Sequence, residues 1–248
     1  LKLRVLSYNI HRAIGVDRRF RPERIVEIIE SHDPDIALLQ EVDEGVPRSR
    51  ELNLGRELAQ ALGYEHYAIG HNVNLRKGRY GNATLSRHPI LRERNIDLTI
   101  DRRKRRGCQH TLIAVPGATG RLRRLEVFNL HLGLSARERE RQVSVLLRAR
   151  EFASLPFGVP CLVGGDFNDW RSLLRPFFVD LLAFRSATGG DGRQERGVAT
   201  FPSFFPQGAL DRIYFRGPLR LLAARRCRLA LSRVASDHLP VIAEFEVH

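Results

Sequence analysis

The chain contains no methionine, one tryptophan and three cysteines in 248 residues. Cys108, Cys161 and Cys227 are too few and too scattered to frame a disulfide scaffold or a cysteine zinc site. That fits a reducing compartment, and a cytoplasmic location is expected. No apolar run approaches the roughly 18–20 residues that span a bilayer, so no transmembrane segment is expected. The opening Leu1-Lys2-Leu3-Arg4 is strand-like rather than a signal sequence, though a missing initiator Met leaves room for a trimmed leader. Linkers and tandem repeats are also lacking, so residues 1–248 are read as one domain, expected to act as a monomer. Acidic residues are scarce: 28 Asp+Glu stand against 41 Lys+Arg, a net charge of +13. This balance favours a polyanionic partner, nucleic acid or an anionic membrane surface; an arginine-rich surface by default gives the same number.

What is present is a series of short apolar segments that end in polar groups. Val159 to Val163 reads as a buried strand that two glycines end, and Asp166-Phe167-Asn168-Asp169-Trp170 follows. On extended backbone, residues i and i+2 share a face. Asp166 and Asn168 then face one pocket while Phe167 points into the core. A carboxylate beside an amide suits a water and a phosphate oxygen held together. The competing reading of the same residues is a plain turn.

In chain order, Arg4 to Ile10 reads as a strand delivering Asn9 and His11. A helix follows with Pro22 in its first turn, then a strand, Ile36 to Leu39, ending in Gln40-Glu41. Strand, helix, strand makes the two strands neighbours, so Asn9 and Glu41 converge where open sheets bind ligands. Asn53 to Leu62 is a second helix. Short strands are expected at 67–69, 83–86, 90–98 and 111–115. The run Arg102, Arg103, Lys104, Arg105, Arg106 falls between the last two, as a solvated hairpin tip or an arm contacting phosphate. Leu125 to His131 is a strand placing Asn129 and His131 on one side. Ser135 and Glu138 open a helix to about Leu155 with a capping box, its 137–141 segment solvated. Residues 172–207 are irregular, with a flexible loop at 189–197. Aromatics at 201–205 are expected to pack, as is Trp170. Leu210 to Phe215 is a strand carrying Asp211, Leu219 to Leu231 is strand rich in Arg, Asp237 adjoins His238, and Val241 to Val247 closes the chain.

Collected, the strand-end groups are Asn9, His11, Glu41, His131, Asp166, Asn168, Asp211, Asp237 and His238. A set this rich in oxygen suits Mg²⁺ or Mn²⁺, whereas zinc prefers more nitrogen and sulfur. A hard cation with several imidazoles points to phosphate-ester hydrolysis. The pairs Asn9/His11 and Asp166/Asn168 echo each other, as two facing sheets that each donate one pair would produce.

Six motifs carry a resemblance over essentially the whole chain. They are Ser-Tyr-Asn-Ile-His at 7–11, Leu-Gln-Glu-Val at 39–42, Asn-Leu-His-Leu at 129–132, Gly-Gly-Asp-Phe-Asn at 164–168, Leu-Asp-Arg-Ile at 210–213 and Ser-Asp-His-Leu-Pro at 236–240. In this order they resemble the endonuclease/exonuclease/phosphatase superfamily, and the extended forms resemble its short bacterial branch. The resemblance implies a deoxyribonuclease I-like α/β (α+β) fold, a four-layer sandwich of two packed mixed β-sheets flanked by helices, with one cleft at the sheet edges. It implies Glu41 as principal metal ligand, with Asn9 and Asp237 near the metal. It gives Asp166 to the attacking water, Asn168 to its alignment, and His238 to the phosphate or the base role, oriented by Asp211. His131 would stabilise the phosphorane or assist the leaving oxygen. His11 stands where several nuclease members carry an acidic residue, which leaves the metal count open. Asn129, His11 and the basic run 102–106 are placed on the substrate side.

The expected activity is metal-dependent phosphodiester hydrolysis. Nucleic acid stands slightly ahead of phospholipid on charge, and an inositol-phosphate type of phosphatase is the alternative. A non-catalytic polyanion-binding protein is the remote one. No predicted hairpin tip is clearly apolar, which weighs against lipid.

Overall fold

In the computed structural model, residues 2–117, 120–189 and 197–248 are described. The alternating apolar residues of the opening run form β1 (Lys2–Asn9), which helix α1 (Pro22–His32) connects to β2 (Ile36–Glu44). β2 lies parallel to β1 with Asn9 opposite Gln40. The amphipathic helix α2 (Leu54–Ala61) follows, capped by Asn53, whose side chain accepts from the Arg56 amide. Next come β3 (His66–Asn74), β4 (Arg79–Ser86), β5 (Ile90–Asp97), β6 (Gly107–Pro116) and β7 (Leu122–His131). Helices α3 (Ala136–Arg148) and α4 (Arg150–Ala153) return the chain to β8 (Cys161–Asp166), parallel to β7. The short β9 (Arg185–Ser186), β10 (Asp211–Arg216), β11 (Leu219–Arg226), α5 (Ser232–Ala235) and β12 (Val241–Val247) complete the order.

These strands make two six-stranded mixed sheets, β11-β12-β1-β2-β4-β3 and β5-β6-β7-β8-β10-β9. Each holds one parallel pair joined through helix, β1/β2 and β7/β8, among antiparallel neighbours. Leu3, Val5, Leu38, Val127, Leu162, Ile213 and Phe245 pack between the sheets. The outer face of the first sheet packs Leu6, Tyr8 and Leu39 against Ile25, Ile28 and Leu58 of the helices. The outer face of the second packs Phe128, Val163 and Tyr214 against Val143, Leu146 and Phe178. The two sheets and their helices are the four-layer sandwich expected. No helix among the described residues is long and apolar enough to cross a membrane.

Three local expectations change. The glycines do not end β8; the strand runs through Gly164 and Gly165 to Asp166. The helix after His131 stops at Ala149, whose ψ of 136° is extended, before α4 resumes. The irregular stretch contains a five-residue π-helical turn, Phe177–Leu181, besides β9. The loop expected at 189–197 lies outside the described residues except for its two end glycines.

Candidate active site

The two parallel pairs end at the same edge of the sandwich. Across the β7/β8 pair His131 stands opposite Asp166, and across β8/β10 Asp166 stands opposite Asp211. Both glycines of the β8 motif are needed for that approach. A Cβ on Gly165, at φ +140°, would lie 1.9 Å from the Leu130 carbonyl oxygen, and one on Gly164 would lie 2.7 Å from Leu38 of the facing sheet. The first glycine in the pair closes sheet on sheet, and the second closes strand on strand.

Asp166 is the hub. Its Oδ2 accepts a hydrogen bond of 3.1 Å from Asn9 Nδ2, while His131 Nε2 and His238 Nε2 stand 3.4 and 3.7 Å away. Its Oδ1 accepts from the Asn168 backbone amide at 2.9 Å. Asn9 belongs to the first sheet and Asp166 to the second, so the echo in the sequence is a direct contact between the sheets. Behind His238, Nδ1 donates to Asp211 Oδ2 at 2.8 Å, and Thr200 Oγ1 donates to the same oxygen at 2.5 Å. Ser236 ties the His238 loop to β1 by donating to the Asn9 carbonyl at 2.7 Å. The Phe201 ring packs on the His238 ring, centroids 4.9 Å apart.

Burial and charge pull these groups apart in acidity. Burial raises the Asp166 carboxyl to about 6, with the nearby Asp211 adding to the rise while His238, Asn168 and Asn9 oppose it. Burial works against charge on His238, yet Asp211 and Asp166 outweigh it and lift that imidazole to about 10. His131 is held neutral, well below the ordinary histidine value, by burial and by the cations Arg106, His238, Lys104 and Arg12. The site thus presents an imidazolium, a neutral imidazole and a carboxylate with a proton affinity near neutrality.

Glu41 sits beside this cluster. It follows Gln40, the register partner of Asn9, and adopts φ +57°, an unusual conformation for a residue with a side chain. Its Oε2 is buried without a hydrogen bond and lies 3.2 Å from Arg12 Nε. Asp211 Oδ1 is likewise buried without a partner. Asp166, Asp211 and His238 bring ligand atoms within 4.8 Å of one another. Carboxylate oxygens left without hydrogen-bond partners in a buried setting are what a hard divalent cation takes. The residues present fit Mg²⁺ or Mn²⁺, with Glu41, Asn9 and the half-buried Asp237 at hand to hold it.

Other expected residues are placed differently. Asn129 does not face the cleft. It is buried between the sheets, where its Nδ2 donates to the Ala83 and Leu39 carbonyls and its Oδ1 accepts from Gln40. Its role is a cross-link between sheets. His11, at φ +45°, is anchored by its backbone amide to Asn9 Oδ1 and by its ring to the Ile14 carbonyl. Asn168, at φ +50°, donates its side chain to the Leu132 carbonyl. Of the basic run, Arg102 to Arg105 are exposed and Arg106 is buried against His131. Trp170 and the aromatics after Phe201 do not pack into the core. Trp170 is 53% exposed with its edge on Phe201, and Phe204 and Phe205 are each 64% exposed. Segment 137–141 is not wholly solvated either, because Glu138 and Arg139 are buried. Arg139 Nη2 reaches Asp169 Oδ1 at 3.3 Å, and Asp169 Oδ2 accepts from the Leu174 amide at 2.8 Å. No role is legible in the sequence for Thr200, Ser236 or Arg12; their partners lie 11, 227 and 29 positions away, beyond any local pattern.

The model of the Endonuclease/Exonuclease/phosphatase family matches residues 6–238. The chain is 34% identical over 253 aligned positions to the uncharacterized protein YbhP of Escherichia coli (strain K12), covering 98% of this chain and 96% of that one. Its fold superposes on the endonuclease/exonuclease/phosphatase of Beutenbergia cavernae with a TM-score of 0.81 at 21% identity, covering 99% of this chain and 72% of that one. The human Nocturnin catalytic domain, solved with bound sulfate anion, matches with a TM-score of 0.75 at 25% identity, covering 100% and 95% of the two chains. With strand-end Asn9, Asp166, Asp211 and His238 gathered in one cluster and a family match across nearly the whole chain, this protein belongs to the endonuclease/exonuclease/phosphatase family.

Proposed function

We propose that the protein is a metal-dependent phosphodiester hydrolase. The family is one of phosphoester hydrolases. The observation that carries the finer reading is the Asp166 carboxylate, flanked within 3.1–3.7 Å by Asn9, His131 and His238, with His238 backed by Asp211. A water within reach of Asp166 loses its proton to that carboxylate, whose affinity near neutrality suits a general base. The His238 imidazolium neutralises a phosphoryl oxygen as charge develops, and Asp211 with Thr200 holds its ring in place. His131, neutral, donates toward the leaving oxygen, and Asn168 aligns the water. A divalent cation held by Glu41, with Asn9 and Asp237, supplies Lewis-acid stabilisation of the phosphate charge.

Nucleic acid leads among substrates on charge. A phospholipid ester is the second reading, favoured by exposed Phe204 and Phe205 in the loop that carries Phe201 to His238. Hydrolysis of bis-p-nitrophenyl phosphate with Mg²⁺, with Mn²⁺ and with EDTA tests the reaction. Turnover should require metal, and Asp166→Asn and His238→Ala should each lower kcat by more than about 10³-fold while each variant remains folded at the assay temperature by circular dichroism. Turnover that survives EDTA, or near-normal rates in either variant, would sink the mechanism. Phospholipid vesicles and oligonucleotides at equal phosphate then choose between the substrates.

A further inference from the structure

The sequence shows no clearly apolar hairpin tip, but the fold makes one beside the cleft. An antiparallel bridge between Phe201 and Gly208 closes residues 201–208 into a tight turn, within which the Phe205 amide donates to the Pro202 carbonyl. Phe204 and Phe205, at its tip, are each 64% exposed. The turn is fastened on both sides. Its base packs on Trp170, where a Cβ on Gly208 would lie 2.7 Å from the indole ring. Ser203 donates its amide to the Asp237 carbonyl at 2.8 Å and its hydroxyl to the Arg233 carbonyl at 3.1 Å. A third loop joins the same rim, because the Val16 amide donates to the Val234 carbonyl at 2.9 Å. Val16, Leu229 and Val234 are exposed there, and so are Arg18, Arg19, Arg228 and Arg233. None of these four guanidinium groups forms an ion pair among the described residues, and the neighbouring Asp17 is already held by Arg24 at 2.9 Å.

Two firmly held phenyl rings at the surface add nothing to the core, and the hydrophobic effect works against leaving them in water. Nucleic acid accounts for the arginines and, through base stacking, for the rings, but it gives nothing to the aliphatic Val16, Leu229 and Val234. A lipid interface uses both kinds of group: apolar side chains sink to the level of the acyl chains while cations stay at the phosphates. We propose that this rim seats the protein on an anionic phospholipid surface, with Phe204 and Phe205 inserted and the four arginines on lipid phosphates. Docked in this way, the His238 side of the cleft faces the headgroups, since Ser203 is bonded to the residue before His238. Docking deepens the phospholipid reading and rests on it for the ester that is cut, whereas binding to the surface needs no turnover.

Trp170, the single tryptophan of the chain, stands edge-on to Phe201 at 5.6 Å and reports on the rim. The test follows its emission, together with co-sedimentation, on vesicles of phosphatidylcholine alone and of phosphatidylcholine with about 30% phosphatidylglycerol, all in EDTA. Wild type should bind the anionic vesicles at least about tenfold more tightly than the neutral ones, with a blue shift of the indole emission. Phe204→Ser with Phe205→Ser should weaken that binding by at least about tenfold. Arg228→Gln with Arg233→Gln should weaken it by about three- to tenfold and flatten its dependence on salt. The substituted side chains are exposed, so each variant should keep the wild-type circular dichroism spectrum. Equal or no binding to the two vesicle types by wild type, or wild-type affinity in the phenylalanine double variant, would overturn the docking. Loss in that variant of single-stranded oligonucleotide binding, with vesicles ignored, would overturn it too and give the rings to base stacking. A wild-type dimer that the variant dissolves, again with vesicles ignored, would overturn it in favour of a second copy of the chain. Anionic vesicle binding without any hydrolysis of bis-p-nitrophenyl phosphate would uphold the docking and strike the catalytic reading alone; hydrolysis without vesicle binding would do the reverse.

Discussion

Asp211 Oδ2 receives two donors, His238 Nδ1 and Thr200 Oγ1, in a pocket with no exposure at Asp211 or Thr200. The hydroxyl therefore acts on catalysis only through the carboxylate that positions His238. Thr200→Val keeps the shape and removes that donor. A hydrogen bond to a charged group is worth about 1.5–3 kcal/mol, so kcat should fall by about 10–100-fold with KM little changed. Thr200→Ser should recover most of it. A wild-type kcat in Thr200→Val would mean that His238 needs no such support. The pair shows where residue-level reading stops. Asp166, Asp211 and His238 could be singled out because each ends or opens an apolar run, a pattern written in neighbouring letters. The Thr200–Asp211 bond depends on how the loop between them folds, and Glu41 against Arg12 depends on three consecutive positive-φ residues at 11–13, which side-chain pattern does not announce.

Elements were readable in proportion to how apolar they are. β12 runs over the span its alternation predicts, and α1 starts at Pro22 as its first-turn proline requires. β4 and β6 extend further than expected because polar residues inside them are buried and paired. Asn82 in β4 donates to the Asn129 carbonyl, and His110 in β6 bonds Glu126 while stacking on Phe128. α3 was misjudged for a related reason. Its charged segment looks solvated, but Arg139 turns inward to Asp169 and to the carbonyls of Gly133 and Leu134. That contact ties the loop after His131 to the loop after Asp166, so it braces both strand ends of the second sheet's half of the site. Removing one partner of a buried pair leaves an uncompensated charge, at a cost of about 3–5 kcal/mol. Asp169→Asn should lower the urea midpoint accordingly, and adding Arg139→Met should restore a large part of the loss. A single variant within about 1 kcal/mol of wild type would show that the pair does not brace the fold.

At the scale of the whole molecule, the strand order sets the chemistry on either side of the cleft. β4 and β6 bring Tyr80, Asn82 and Arg106 to the His131 side, while the loop between β9 and β10 brings Phe201 to the His238 side. The neighbouring β1 and β2 and the two facing sheets followed from sequence; which edge received the basic run did not, since strand order across a sheet is set by long-range pairing. The same layered burial fixes how stability responds to alkali. Burial raises the thiols of Cys108 and Cys161, each also near other groups, and raises the Tyr64 hydroxyl, which donates to the Pro34 carbonyl. In each case the folded chain keeps a proton that the unfolded chain releases. The unfolded state then binds fewer protons, and stability falls as pH rises. The contribution of each thiol is fully present below the ordinary value of about 8.5 and is lost above it, at about 1.4 kcal/mol per pH unit, and that of Tyr64 is lost only above about 10. His238 acts in the same direction from the ordinary histidine value up to about 10. Urea midpoints in EDTA should therefore decline gently between pH 7 and 8.5 and steeply from pH 9 to 10.5. Cys108→Ala with Cys161→Ala should flatten the upper limb by about 3 kcal/mol per pH unit, whatever the double variant costs at neutral pH. A wild-type midpoint that stays level to pH 10.5 would mean that the two thiols are not held in an interior as dry as the packing of Phe128, Phe152 and Val163 around them requires.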